Sequence, residues 1–131
     1  MEGLSVQDRS YFTKSKYVKE ISPKDFKEIA TWKLKDDGCC IVLFYADWCP
    51  HCKAIKDEWE EFAKIAAFMN VYAFNCAKYA SYIDKIKEDM PQLVTGYPTI
   101  VFYSKGDPTE TYRDERTRQK LLKASMRVCN G

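Results

Sequence analysis

Two cysteines three positions apart, Cys49 and Cys52, lie in the stretch Phe44-Tyr45-Ala46-Asp47-Trp48-Cys49-Pro50-His51-Cys52-Lys53. A thiol attacks a disulfide only as its thiolate, so exchange chemistry needs one cysteine of lowered pKa and a second one close enough to resolve the mixed disulfide. An apolar, strand-like run from Ile41 to Ala46 ends just before the pair, and an amphipathic helical pattern starts just after Cys49. Cys49 therefore falls at the N-cap, where unpaired N–H groups and the positive end of the helix macrodipole favour a sulfur anion. Cys49 is the expected nucleophile, and Cys52, one turn inside, the resolving thiol. A buried cysteine pair or a structural disulfide is the competing reading. His51 is the only histidine; as an imidazolium it would stabilise the Cys49 thiolate and make the disulfide a better oxidant, and otherwise it is an exposed helix residue.

The other cysteines are less informative. Cys76 ends a strand-like run expected to lie parallel to the one feeding Cys49, on the same sheet edge, so it is either an exchange participant or a plain buried thiol. Cys39 and Cys40 begin the central run, roughly 30 Å from Cys49 at ~3.3 Å per residue, and Cys129 is a candidate partner. Zinc needs four ligands, and no second pair matches Cys49 and Cys52; a metal bridging two chains at this pair stays open. Haem attachment needs histidine after the second cysteine, and position 53 is lysine. No organic cofactor or metal is called for.

The 131 residues suit one domain with its own core, and 46% hydrophobic with 31% charged content is a globular balance. A net charge of +2 does not argue for nucleic acid, and Arg113, Arg116 and Arg118 alternate with acidic residues as on a solvated face. No run approaches the ~20 apolar residues of a membrane span. The first nine residues lack the apolar stretch of a secretory leader, so the chain read as complete is expected in the cytoplasm; with a leader removed, the endoplasmic reticulum or secretion becomes the expectation. A monomer is expected, with a dimer through an extra cysteine as the variant.

Residues 1–16 read as an N-terminal arm, loose or holding a short edge element, with aromatics at Tyr11 and Phe12, and residues 17–131 as the domain. Tyr17 to Ile21 alternates as a strand. Ser22-Pro23-Lys24-Asp25 resembles a helix start, with Phe26, Ile29, Ala30 and Leu34 as its buried stripe and Asp36-Asp37-Gly38 as its end. Cys39 to Ala46 reads as a central strand. A helix follows from Pro50 to about Met69, then a strand from Val71 to Cys76, a helix from Ala80 to Met90, a strand from Thr99 to Tyr103, a hairpin partner from Thr109 to Arg113, and a helix from Arg116 to about Val128. The order is β-α-β-α-β-α-β-β-α, an α/β fold with a central mixed sheet and helices on both faces.

Three motifs give this order a family. Phe44-Tyr45-Ala46-x-Trp48-Cys49-x-His51-Cys52-Lys53, Gly96-Tyr97-Pro98-Thr99 and Tyr112-x-x-x-Arg116-Thr117 together resemble the thioredoxin fold, and within it a catalytic domain of protein disulfide isomerase, from about Tyr17 to Val128. The resemblance implies a thiol–disulfide oxidoreductase acting on protein or peptide thiols with a separate redox partner. It implies a cis peptide at Pro98, with Thr95, Gly96, Tyr97 and Pro98 facing the sulfurs, Trp48 as an apolar wall for substrate, and Arg116 helping Cys52 ionise. A trans turn at Pro98, plain packing of Trp48 and Tyr97, and Arg116 as one exposed arginine among several are the alternatives. Isomerase domains carry glycine where this chain has Pro50, and the Cys-Pro-His-Cys quartet is that of the oxidising periplasmic protein DsbA, at ~−120 mV against ~−270 mV for thioredoxin. Pro50 and His51 therefore lean the expectation toward oxidase or isomerase; a reductase and a non-catalytic binding module remain as alternatives. The family's buried acid and its lysine partner are replaced by Leu43 and Ala73, so Cys52 is expected to lose its proton by another route.

Overall fold

The computed structural model describes residues 8–82, 84 and 93–130. Its centre is the strand Cys40–Tyr45 (β4), a six-residue run with every side chain buried. Such a run can only be covered on both faces, and it is. Asn70–Asn75 (β5) pairs with it in parallel, Leu43 opposite Ala73, and Thr99–Ser104 (β6) pairs with it antiparallel, Leu43 opposite Ile100. Val18–Ile21 (β1) lies parallel outside β5, and Asp107–Tyr112 (β7) lies antiparallel outside β6, giving the order β1-β5-β4-β6-β7. Pro108 sits in the edge strand β7, where a missing N–H is tolerated. The β6–β7 hairpin turns at Lys105 and Gly106, both at positive φ (54° and 85°).

One face of the sheet, carrying Ile41, Leu43 and Tyr45, is covered by the helix Pro50–Ile65 (α1) through Ile55, Trp59 and Phe62, and by the helix Arg118–Asn130 (α2) through Leu121. Arg118 ties the two helices together by donating to Glu58 at 2.9 Å. The helix expected to run on to Met69 ends at Ile65, and the last helix starts at Arg118, two residues later than expected. Residues 80–82 and 84 are helical; the remainder of the helix expected from Ala80 to Met90 lies outside the described residues.

The opposite face, carrying Cys40, Val42 and Phe44, is covered differently from expectation. No helix forms over residues 23–35. Pro23–Asp25 makes one 3₁₀ turn, Phe26–Glu28 (β2) and Lys33–Leu34 (β3) pair antiparallel, and a second 3₁₀ turn, Ile29–Thr31, joins them through Trp32 at φ 60°. The helix-start signal is real but local: the Ser22 amide donates to Asp25 Oδ2 at 2.9 Å, and the chain then extends. Packing decides the outcome. Phe26, Trp32 and Leu34 are each buried to 4% exposure or less, and no single helical stripe holds all three. The hairpin pairs Phe26 with Leu34 and its turn brings Trp32 in beside them, Phe26 edge-on to Phe74 at 5.3 Å and Trp32 edge-on to Phe44 at 4.9 Å.

The N-terminal segment is not loose where it is described. Phe12 is buried in the α1-side core, and Tyr11 stacks on Tyr45 at 4.5 Å. At the opposite end of β4 from the active-site candidates, Cys39 is disulfide-bonded to Cys129, joining the start of the central strand to the end of α2 across 90 residues.

Candidate active site

β4 ends at Tyr45, a tight turn follows in which the Cys49 amide donates to the Ala46 carbonyl at 3.0 Å, and α1 begins at Pro50. Cys49 is thereby the N-cap residue, and Pro50 occupies the first helical position, where no N–H is needed. The amides of Cys52 and Lys53 both donate to the Cys49 carbonyl at 3.1 Å, which closes the first turn and sets Cys52 one turn in. Cys49 is 6% exposed and Cys52 fully buried; neither is disulfide-bonded.

The two thiols are pushed in opposite directions. Burial raises Cys49, but the amides of Cys52 and His51, the Cys52 thiol and the charge of Arg116 outweigh it and hold the pKa below the usual 9.0. The amides face the sulfur without either closing a full capping hydrogen bond. Burial pushes Cys52 up to about 12, against the lowering effect of the Ala46 backbone and of Arg116. Cys49 is thus the more readily ionised of the two, and Cys52 is held as a thiol.

The remaining expected residues fall around this pair to different degrees. The Tyr97–Pro98 peptide bond is cis, and the Cys49 thiol donates to the Tyr97 carbonyl at 3.6 Å, so the loop is directly opposite the sulfur. Trp48 is 62% exposed and meets Tyr97 edge-on at 6.1 Å, forming one wall. A cleft of about 170 Å³ opens between them, with Ala46 and Cys76 also in its lining. Cys76 is buried at the sheet edge that bears Cys49, its amide donating to the Tyr45 carbonyl at 2.7 Å. Thr95 and Gly96 are exposed in the loop, where the Gly96 carbonyl accepts from Thr99 Oγ1 at 2.6 Å. The His51 side chain is exposed, and what this residue gives the sulfur is its backbone amide. Arg116 is also exposed and acts on both thiols through its charge.

Leu43 and Ala73 are both fully buried, so the core behind the thiols is apolar at those two positions. The sheet register nevertheless puts an acid in the same row: Glu20 pairs with Ala73, which pairs with Leu43. Glu20 Oε2 accepts from the Tyr45 hydroxyl at 2.6 Å and from the Phe12 amide at 3.0 Å, and burial raises its pKa from 4.5 to about 7. From sequence alone Glu20 and Tyr11 carry no site role, and Tyr45 enters only within the first of the three motifs. The available signal was the aromatic pair Tyr11-Phe12 in an otherwise polar segment.

Residues 17–127 match the family model described as thioredoxin. The chain is 33% identical to a protein disulfide-isomerase of Humicola insolens over 109 residues, covering 81% of this chain and 20% of that protein. It is 29% identical to the mouse protein disulfide-isomerase A6 over 117 residues, covering 88% of this chain and 24% of the relative. It therefore spans about a fifth to a quarter of the length of these relatives. Among solved structures it resembles the J-Trx1 fragment of ERdj5 (TM-score 0.71, 21% identity, 88% of this chain and 53% of that one). It also resembles human ERp44 (TM-score 0.68, 18% identity, 93% of this chain and 32% of that one). At those identities the two structures speak for the fold. With the mixed five-stranded sheet, the cis-proline loop and the matched family model together, this chain belongs to the thioredoxin family, as a domain related to the protein disulfide isomerases.

Proposed function

We propose that the chain is a thiol–disulfide oxidoreductase acting on protein thiols through Cys49 and Cys52, with a lean toward giving disulfides rather than removing them. The observation that carries this reading is the opposed tuning of two thiols one helical turn apart, Cys49 lowered and Cys52 raised to about 12. In the oxidising direction a client thiolate attacks Cys49 of the Cys49–Cys52 disulfide. A client–Cys49 bond forms, and Cys52 leaves and takes up a proton. A second client thiolate then attacks the client sulfur, and Cys49 leaves as a thiolate. The client gains a disulfide and the domain gains two electrons and one proton, the client's other proton passing to solvent; a separate disulfide-bearing redox partner then removes the two electrons. A leaving thiolate of low pKa departs faster, so the amides at Cys49 favour release of the oxidised client. The Tyr97 carbonyl, 3.6 Å from the Cys49 sulfur, offers an extended client backbone an acceptor beside the reacting atoms.

The Cys39–Cys129 disulfide supports a working place where structural disulfides persist, such as the secretory pathway, over the reducing cytosol. The test is to mix the oxidised domain with a reduced two-cysteine peptide and follow both partners by mass. The reading expects one peptide disulfide per domain reduced, and none with Cys49→Ser. Peptide that stays reduced while the wild-type Cys49–Cys52 disulfide remains intact would remove the function.

A further inference from the structure

The segment ahead of β1, which precedes the residues 17–127 that match the family, crosses the sheet end that bears Cys49 and is tied down at four points. Asp8 pairs with Lys78 at 2.7 Å, and Ser10 Oγ accepts from Asn75 Nδ2 at 3.2 Å. The Tyr11 amide donates to the Tyr45 hydroxyl at 3.0 Å, and the Phe12 amide to Glu20 Oε2 at 3.0 Å. These anchors deliver the Tyr11 phenol to the active-site turn. Its ring lies stacked on Tyr45 at 4.5 Å, with Lys56 Nζ 5.4 Å from its centroid, and its hydroxyl donates to the Asp47 carbonyl at 2.9 Å. Asp47 stands two residues before Cys49, inside the turn closed by the Cys49 amide and the Ala46 carbonyl. The Asp47 carboxylate is held as well, accepting from Asn75 Nδ2 at 3.0 Å. Burial first, then the charges of Cys52, Asp47 and Cys49, push Tyr11 up to about 12, so the phenol keeps its donor proton at neutral pH and lies within electrostatic reach of both sulfurs.

We propose that this N-terminal segment is part of the redox site and that Tyr11 is a positioning residue, fixing the Ala46–Cys49 turn through the Asp47 carbonyl and so aiming the Cys49 sulfur at the amides of His51 and Cys52. The inference rests on reading Cys49 and Cys52 as the exchanging pair. Its physical basis is the steep angular dependence of hydrogen bonding: amides that face a sulfur without a closed cap lose their hold if the turn rotates. The thiolate then loses stabilisation and the reduced form with it.

Tyr11→Phe tests this, because it keeps the ring stack and the Lys56 contact and removes only the O–H; Tyr17→Phe, at an exposed tyrosine, is the control. Two quantities are read: the pH midpoint of Cys49 alkylation by iodoacetamide, and the glutathione equilibrium constant of the Cys49–Cys52 pair. Tyr11→Phe is expected to raise the pH midpoint of Cys49 alkylation by about half a unit, about a threefold change in its dissociation constant and the size of one modest hydrogen bond, and to make the disulfide up to about threefold harder to reduce. Tyr17→Phe is expected to match the wild type in both. A purely structural Tyr11 would lower unfolding stability and leave both quantities unchanged, and that result overturns the proposal. A wild-type chain with no reversible couple overturns the exchange reading itself, and the positioning role falls with it.

Discussion

Glu20 gives the sharpest handle on how the core behind the dithiol is built. Its folded pKa, about 7, lies above its ordinary 4.5, because burial outweighs the hydrogen bonds from Tyr45 and the Phe12 amide. Between those two values the unfolded chain has released its proton and the folded chain has not, so folding takes up a proton and stability falls as pH rises. The contribution is fully present below pH 4.5 and is lost through about pH 7. At about 1.4 kcal/mol per pH unit the full loss is about 3 kcal/mol, of which about 2.5 kcal/mol falls between pH 5 and 8. Glu20→Gln removes the titration while keeping the geometry, since both hydrogen bonds arrive at one oxygen, which a carboxamide can supply. The assay is urea unfolding of both proteins at pH 5 and pH 8. The variant is expected to gain about 2.5 kcal/mol relative to the wild type between the two conditions, groups common to both cancelling. A constant difference between the proteins across that range would refute the reasoning, because Glu20 would then be ionised and solvated in the folded state.

Other expectations follow from the same geometry. Iodoacetamide mapped by mass should modify Cys49 first, with a midpoint below 9.0, while Cys52 resists until about pH 12; equal reactivity of the two would contradict their opposed tuning. Cys129→Ser should lower unfolding stability by about 2–4 kcal/mol, since the bond closes a loop of 90 residues, and should leave the Cys49–Cys52 equilibrium unchanged. Gly106→Ala should cost roughly 1–3 kcal/mol in thermal or urea unfolding, because φ is +85° and a Cβ would lie 2.7 Å from the Leu34 carbonyl oxygen; a neutral result would place β3 elsewhere.

The central strand and the helix after it were readable because each carries a pattern that only one structure satisfies. β4 is apolar at every position, and α1 repeats its apolar residues at helical spacing behind an N-cap and a proline. Residues 22–38 misled because a start signal is local and the covering of a sheet face is not. Phe26 and Leu34 meet across the β2–β3 hairpin and Trp32 enters from the turn between them, whereas on one helix Trp32 would point about 120° away from Phe26. Glu20 was illegible for a related reason. An acid in an alternating strand reads as a solvent-facing residue, and only the fold brings the Tyr45 hydroxyl against it from a strand two places away. Nor does any spacing rule pair Cys39 with Cys129; the antiparallel return of α2 along β4 does that. Contiguous motifs carry Trp48 to Cys52 and Gly96 to Pro98, and the fold sets those two stretches opposite one another, while Tyr11 enters through backbone-anchored contacts with no motif of their own.

The most direct test of the redox account is the reduction potential of the Cys49–Cys52 pair, taken by equilibrating the chain with defined glutathione ratios, trapping thiols and assigning each cysteine by mass. Site assignment matters because the Cys39–Cys129 bond titrates separately. Stabilisation of the Cys49 thiolate by amides and Arg116 predicts a value above about −200 mV. A value near −270 mV, about that of thioredoxin, would contradict it and make the domain a reductant.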